Sequence, residues 1–213
     1  MALAIDADIR ALPVQNTPNE RAIRRKYSRM LKDSNPEFIL DVARALIKQH
    51  RWLAYELVAA HKAAFQSLGE AELVGFGQGI NSWGSVDSFA RTLAGPAWLR
   101  GQVSDDLIAR WADSEDRWWR RAALVSTVAL NVRSRGGKGD TARTLAVCSL
   151  LVSDHDDMVV KAMSWALREL VVHDADAVRG FLSEHEDVLA ARVKREVRNK
   201  LATGLKNPRR RSG

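Results

Sequence analysis

Apolar residues recur along most of the chain at intervals of three and four positions, the spacing that puts side chains on one face of an α-helix. The alternation of apolar and polar positions that is typical of a β-strand is not sustained anywhere in the sequence. We therefore predict an all-α protein. The predicted helices span residues 19–33, 36–49, 51–66, 70–77, 85–95, 103–112, 115–133, 139–152, 156–173, 175–183 and 187–203.

Residue types that begin or end helices fit these boundaries. Pro36 predicts a helix with proline in its first turn, Gly95-Pro96 predicts the end of a helix, and the RGGKG sequence of residues 135–139 predicts a loop. The predicted N-caps are Ser85, Ser104 and, before helix 115–133, either Asp113 or Ser114.

Three segments share a basic and aromatic start followed by an apolar helix, namely RWLAYELVAAH (51–61), RWWRRAALVSTV (117–128) and KAMSWALRELVV (161–172). Starts at residues 51, 85, 117 and 161 lie 34, 32 and 44 residues apart, in the range of two-helix repeats. We predict a HEAT-like repeat solenoid of stacked antiparallel helix pairs in preference to a closed bundle. It forms one domain over residues 1–204, followed by a basic, flexible tail over 205–213, and its basic concave face is the expected functional surface.

The formal net charge of +7 is distributed unevenly along the chain. Residues 189–213 contain nine Lys or Arg against one acid, a net charge of +8, which leaves −1 for the first 188 residues. Residues 21–32 nevertheless contain six basic residues, whereas acids gather in SDD (104–106), DSED (113–116), DHDD (154–157) and EHED (184–187). Such segregation is typical of a protein that binds a polyanion on one face. A solvated tail explains part of the excess, but not the basic segment 21–32.

The chain has 213 residues, of which 46% are apolar, enough for one globular domain with a sizeable core. No apolar run approaches 18 residues, so we expect no membrane contact. The N-terminal sequence MALAIDADIRALPVQ lacks the pattern of a secretory leader, and the single Cys148 cannot form an internal disulfide. We therefore expect a cytoplasmic protein.

The predicted helix 156–173 has a second, polar face. A rotation of 100° per residue brings Lys161, Trp165 and Arg168 together, away from the apolar stripe of Val159, Met163, Ala166 and Leu170. A cation, an indole and a second cation suit a nucleic-acid backbone with a base or sugar. Alternatively, Trp165 packs under a neighbouring helix while the two cations extend past it, and this helix alone favours that explanation.

The predicted helix 115–133 carries a similar combination of residues. Arg121 lies at the edge of the face that Trp118 and Ala122 share, whereas Arg120 points in nearly the opposite direction. Arg121 is therefore the better candidate to flank a groove. Alternatively, the arginines of this helix only neutralise the preceding acids Asp113, Glu115 and Asp116, an arrangement that contributes little to stability.

The stretch INSWGSVDSFAR (80–91) places Trp83 and Asp87 four residues apart. If Ser85 caps the helix, Asp87 lies in the first turn, where the helix dipole favours a carboxylate. For Asp87 alone, this structural role is the simpler explanation.

Taken together, NSWGSVD, DRWWRRAALV and VVKAMSWALREL resemble the DNA alkylation repair family, the AlkD-like DNA glycosylases, which are all-α proteins of HEAT-like repeats. The resemblance lies in the order and approximate spacing of these motifs and covers roughly residues 20–200, although residues 1–50 do not obviously match the first repeats of the family. It implies that Trp83 and Trp165 are active-site tryptophans and that Asp87 is the catalytic aspartate. Arg121 or Arg120, together with Arg168, would contact DNA, and we expect Lys161 to join them.

The chemistry that the resemblance implies suits these residue types. A purine alkylated at N3 or N7 is positively charged and already a good leaving group, so the reaction requires no general acid. A carboxylate stabilises the oxocarbenium character of the sugar, tryptophans hold the sugar and the cationic base, and arginines bind the flanking phosphates. We expect a monofunctional glycosylase for alkylated duplex DNA that uses no lysine nucleophile, metal or cofactor and does not flip the base. It is expected to be a monomer, nucleoid-associated when bound to DNA.

Other classes of function stay open at this point. A non-catalytic, damage-sensing DNA-binding protein would keep the basic face, but Asp87 argues against it because a carboxylate in a DNA groove repels phosphate. A protein-binding scaffold would instead show an exposed apolar groove. A metal enzyme is disfavoured because His155 and His185 each lack a second histidine at ligand spacing.

Overall fold

The computed structural model describes residues 1–208, and this part of the chain is an all-α repeat solenoid without strands. Its helices are α1 (Ala2–Arg10), α2 (Thr17–Met30), α3 (Pro36–Leu46), α4 (Arg51–Ala60), α5 (Lys62–Gln66), α6 (Glu70–Gly77), α7 (Trp83–Phe89), α8 (Gly95–Leu99), α9 (Asp105–Ala112), α10 (Arg117–Asn131), α11 (Thr141–Leu150), α12 (Asp157–Leu170), α13 (Ala175–Glu184) and α14 (Ala191–Thr203). A π-helical turn (Ala90–Ala94) joins α7 to α8, and a 3₁₀ turn (Arg133–Arg135) follows α10.

Side-chain caps fix several helix starts, and some differ from the predicted ones. Helix α3 begins at Pro36 and α9 is capped by Ser104, as predicted. Helix α7 is capped by Ser82 and not by Ser85, because the two serines form a reciprocal capping box that starts the helix three residues earlier. Similarly, Asp116 caps α10 by accepting the N–H of Trp118, so neither Asp113 nor Ser114 is the cap.

The prediction that Gly95-Pro96 ends a helix is wrong. Both residues lie inside one continuous helical segment, in which the π turn precedes a proline that lacks an N–H to donate to the turn before it. Gly95 faces α10, where an added Cβ would lie 2.6 Å from the carbonyl oxygen of Ser126 and 2.8 Å from the Cβ of Ala129. Glycine is required here so that α8 can lie directly against α10.

Two further boundaries depart from the prediction. Residues 51–66 form two helices because His61 leaves the helical conformation, with φ −101° and ψ 104°, and its Nδ1 accepts the N–H of Ala64. Helix α1 was not predicted. It packs through Ile5 and Ile9, both buried, which lie one turn apart on its inner face.

Six helices form a continuous row in which each helix packs against the next. The row runs from α2 to α4, α7, α10, α12 and α14. Helix α10 lies at its centre, and every side chain from Arg121 to Asn131 is buried. Most residues predicted to be functional lie on this row.

An aromatic cluster beneath α7 holds that helix in place. The ring of Phe89 lies 5.7 Å from Tyr55, 5.7 Å from Trp111 and 6.0 Å from Trp119, measured between ring centroids. The last two rings lie 4.9 Å apart. Tilted and edge-on aromatic pairs of this kind stabilise a core beyond simple area burial, so the position of α7 is well determined.

The basic and acidic segments that are separate in the sequence meet in the structure. The basic face of α14 pairs with acids of other segments, as in Arg192 with Asp157 and Arg198 with Glu186. Of the predicted tail, residues 205–208 are described, and Lys206 lies 3.4 Å from the carboxylate of Glu196; residues 209–213 lie outside the described range. Within that range, no helix combines the length and the apolar character that a bilayer crossing demands.

Candidate functional site

Trp83 and Asp87 lie on the same face of α7, one turn apart, as its first and fifth residues. Trp83 is 64% exposed, an unusual position for a large aromatic side chain. Asp87 lies in the second turn, so the explanation that the helix dipole favours a first-turn carboxylate does not apply. The side chain of Asp87 is only 17% exposed, and its surroundings must therefore account for it.

Asp87 forms a two-point ion pair with Arg121 of α10. The Nε and Nη2 groups of Arg121 donate to Oδ1 and Oδ2 of Asp87, each at 2.9 Å. The remaining Nη1 donates to the main-chain oxygen of Met158 on α12, at 2.5 Å. Because Arg121 is only 5% exposed and its Nη1 is bonded to Met158, its guanidinium has a fixed position and holds the carboxylate of Asp87 in one orientation.

A cleft of about 400 Å³ opens in front of this pair. Its walls come from α2, α4, the α7–π segment and the 3₁₀ turn, and they include two indoles, Trp52 of α4 and Trp83 of α7. Its charged side chains are Arg21, Glu56, Asp87, Arg91 and Arg135. Sequence reasoning had singled out only Trp83 and Asp87 among the residues that line this cleft.

Trp165 lies on α12, beside the same site. It is partly buried against the core, its Nε1 donates to Glu169 at 2.9 Å, and the guanidinium of Arg91 lies 5.2 Å from the centre of its ring. Arg91 therefore connects Trp165 to the cleft that contains Asp87. Trp165 thus packs against neighbouring elements, as one of the two explanations expects, and its contact with nucleic acid stays a prediction.

The two arginines of α10 that were predicted to contact DNA are each bonded to other groups of the protein. Arg121 is buried and fully engaged, and Arg120 binds Asp154 at 2.7 Å and the main-chain oxygens of Ser114 and Glu115. The expected ion pairs of these arginines with Asp113, Glu115 and Asp116 are wrong. Asp87 comes from α7 and Asp154 from the loop before α12, because α10 packs against both of these neighbours.

The two other predicted cations lie on α12, outside the cleft. Lys161 pairs with Asp157 one turn earlier, at 2.6 Å. Arg168 donates to Ser164 at 3.2 Å, and burial lowers its pKa although the nearby Glu196 opposes that shift. The structure does not bring either residue to Asp87, and their contact with DNA stays a prediction.

Both carboxylates of the cleft have protein partners. Glu56 accepts from Arg21 at 3.0 Å and from Arg24 at 3.2 Å, while the guanidinium of Arg21 also lies 5.5 Å from the ring of Trp52. Burial lowers the pKa of Arg135, as do the positive charges of Arg91 and Arg21. The cleft thus contains positive charge in excess of its carboxylates.

One of the residues that sequence reasoning missed had a usable signal. Trp83, Asp87 and Arg91 follow each other at four-residue intervals, which puts all three on one helix face. Arg21 belongs to the basic segment 21–32, but nothing in the sequence places it opposite Asp87. Arg135 and Trp52 reach the cleft only through the packing of distant segments.

Within residues 1–208, no three His, Cys, Asp or Glu side chains are grouped as metal ligands. No curated protein matches the sequence. A family described as DNA alkylation repair enzyme matches residues 11–201, which include every helix from α2 to α13 and all but the last two residues of α14. The charged cleft with its tryptophans and its oriented aspartate thus lies within the matched region, and the chain belongs to the family of DNA alkylation repair enzymes.

Proposed function

We propose that the protein is a monofunctional DNA glycosylase that hydrolyses the N-glycosidic bond of positively charged N3- or N7-alkylated purines in duplex DNA. The observation that carries this proposal is the geometry of Asp87, a carboxylate fixed by a buried arginine at the edge of a cleft and one turn from an exposed indole. Membership of a DNA alkylation repair family supports the choice of substrate class.

The role of Asp87 follows from the charge that develops in the reaction. As the alkylated base leaves, the deoxyribose gains oxocarbenium character, and a preoriented carboxylate stabilises that positive charge. Each oxygen of Asp87 accepts one hydrogen bond from Arg121 and retains a second lone pair. These lone pairs are available to the sugar and to an attacking water molecule, without any rearrangement of the carboxylate.

The tryptophans are proposed to bind the substrate rather than to react. The exposed ring of Trp83 offers a face to the deoxyribose, and Trp165 offers a second aromatic surface on the other side of Arg91. A cationic base is attracted to the faces of such rings. Since the leaving base already carries a positive charge, no acid is required to protonate it. We also propose that the base leaves without being flipped out of the duplex.

The cleft contains no lysine among its described lining residues. A lysine nucleophile would form a Schiff base with the sugar and lead to strand cleavage. We therefore propose simple hydrolysis, with an abasic site and the free base as products and without lyase activity. The protein is proposed to act on duplex DNA as a monomer.

The test is release of N7- or N3-methylpurine from methylated duplex DNA, comparing the native protein with the Asp87→Asn variant. Release by the native protein that is reduced at least about 100-fold in Asp87→Asn, with DNA binding retained, supports the proposal. Asp176→Asn is the matched control, because Asp176 is exposed and pairs only with Arg179 on the same helix. Binding to DNA without base release by the native protein would instead indicate a non-catalytic, damage-sensing role.

A further inference from the structure

Two arginines of the cleft have no anionic partner within residues 1–208. Arg91 and Arg135 form no ion pair there, whereas most other cations of the row do. The guanidinium of Arg91 lies 5.2 Å from the centre of the Trp165 ring. Both side chains nevertheless line the same cleft, although Arg135 also borders two neighbouring surface cavities.

The carboxylates of the cleft offset the charge of these two cations only in part. Glu56 is shared between Arg21 and Arg24, and both oxygens of Asp87 accept from Arg121. Burial and then the positive charge of Arg91 lower the pKa of Arg135, and Glu56 opposes this shift without cancelling it. An anion placed between the two guanidinium groups would remove the repulsion.

The floor of the cleft leaves room for such an anion. Gly84, Ser88 and Thr92 follow each other at four-residue intervals along the same helical segment and line the cleft with small side chains. A Cβ added to Gly84 would meet no atom within 4 Å, so packing within the protein does not require glycine at this position. Glycine in a helix is unfavourable by about 1 kcal/mol relative to alanine, and it allows a ligand to approach the backbone closely.

The position of the two arginines suits a flanking phosphate of the substrate strand. Arg91 follows Asp87 by four residues, so the two side chains leave neighbouring turns of one helical segment and both line the cleft. We propose that Arg91 and Arg135 together bind one phosphodiester group next to the nucleotide whose sugar lies against Asp87. This inference rests on the proposed function for the identity of the ligand, and it assigns phosphate binding to residues other than Arg120, Arg168 and Lys161.

Arginine suits this task because its planar guanidinium donates two parallel hydrogen bonds to phosphate oxygens. Arg91 supplies its group from the rigid helical segment, and Arg135 supplies its group from the 3₁₀ turn after α10. The phosphate would link the π turn after α7 to the 3₁₀ turn after α10 and fix the sugar relative to the carboxylate.

The experiment measures binding of the full chain to a fluorescein-labelled duplex that contains a tetrahydrofuran abasic-site analogue, at several salt concentrations. Arg91→Gln/Arg135→Gln is compared with the native protein, and Arg179→Gln, which removes an exposed arginine of α13 that pairs with Asp176, is the control. The double variant is expected to bind about 10-fold more weakly or worse. The slope of log K against log salt is expected to fall by about 0.9, the change for one lost phosphate contact.

Replacement of single phosphates by uncharged methylphosphonates then locates the contact. One linkage beside the analogue should weaken binding by the native protein but leave the double variant unaffected, since the contact is already absent there. Circular dichroism and thermal unfolding confirm that the variants are folded. Unchanged affinity and salt slope in the double variant overturn the inference, as does an equal response of both proteins at every linkage.

Base release measured in parallel separates this inference from the proposed function. Arginine-dependent binding without any base release by the native protein refutes the glycosylase and leaves the phosphate site standing. Base release together with unaffected binding by Arg91→Gln/Arg135→Gln refutes the phosphate site alone. A native protein that does not bind the duplex refutes both.

Discussion

Breaking the ion pair between Asp87 and Arg121 is expected to destabilise the protein far more than breaking an ion pair on its surface. In Asp87→Asn the guanidinium of Arg121, which is only 5% exposed, loses its charged partner and keeps only neutral acceptors, among them the main-chain oxygen of Met158. Removing one partner of a buried pair costs about 3–5 kcal/mol. Since Asp87 keeps 17% of its side chain exposed, we expect about 2–3 kcal/mol, which in a chain of this length lowers Tm by about 4–12 °C.

A double-mutant cycle isolates this contribution. Asp87→Asn, Arg121→Gln and the combined variant are unfolded in denaturant, and the coupling energy is calculated from the four free energies of unfolding. We expect a coupling of about 2 kcal/mol, because the neutral pair in the double variant leaves no buried charge without a partner. The same cycle on the exposed pair Arg179 and Asp176 should give about 0.5 kcal/mol or less.

Two results would refute this reasoning. Additive free energies at Asp87 and Arg121 would show that the two side chains do not depend on each other. A higher Tm in Asp87→Asn would show that the carboxylate is held against its electrostatic preference. The first result would exclude Arg121 as the residue that orients Asp87, and the second would exclude the ion pair as a source of stability.

Two further predictions concern the helical segment and the N-terminus. Gly95→Ala should destabilise the protein by about 1–3 kcal/mol in denaturant unfolding, because its Cβ would lie 2.6 Å from the oxygen of Ser126. In the same assay Gly84→Ala should leave stability unchanged or raise it by up to about 1 kcal/mol, and it should weaken DNA binding. Hydrogen bonds from His50 and Arg10 lower the pKa of Asp6 below its ordinary 3.8. The ionised carboxylate therefore stabilises the docking of α1 above pH 3.8, and this stabilisation is lost as the pH falls through the lowered pKa of the folded protein. The Tm difference between the native protein and Asp6→Asn should therefore be constant above about pH 5 and should shrink to zero as the pH falls below 3.8. A difference that persists in acid would contradict this role of Asp6.

The all-α fold could be predicted because each long helix carries its own apolar periodicity and most starts carry a local capping residue. Pro36 and Ser104 act within a few residues of themselves, so the sequence is sufficient there. The continuous segment through Gly95-Pro96 was missed because its π turn and the glycine contact depend on α10, a separate segment. Local rules describe glycine and proline as helix breakers, and packing against another helix overrides them here.

The candidate site was predictable for the residues that share one helix. Trp83 and Asp87 share a face of α7 by spacing alone, and Arg91 continues that face. The partner of Asp87 was not predictable, because Arg121 follows it by 34 residues and rotation within α10 placed it only at the edge of an apolar face. Arg135 and Trp52 were not predictable for the same reason, since the packing of separate helices brings them to the cleft.

The three hydrogen bonds of Arg121 have a consequence for the cooperativity of the solenoid. In repeat proteins each unit contacts only its neighbours, so stretches of the array can open while the rest stays folded. Arg121 spans three elements, since from α10 it holds Asp87 on α7 and Met158 on α12. Opening at either neighbour releases the guanidinium and with it the orientation of the carboxylate. A partly unfolded molecule therefore loses the orientation of Asp87 before it loses most of its helices. The site is then either fully formed or absent when DNA binds.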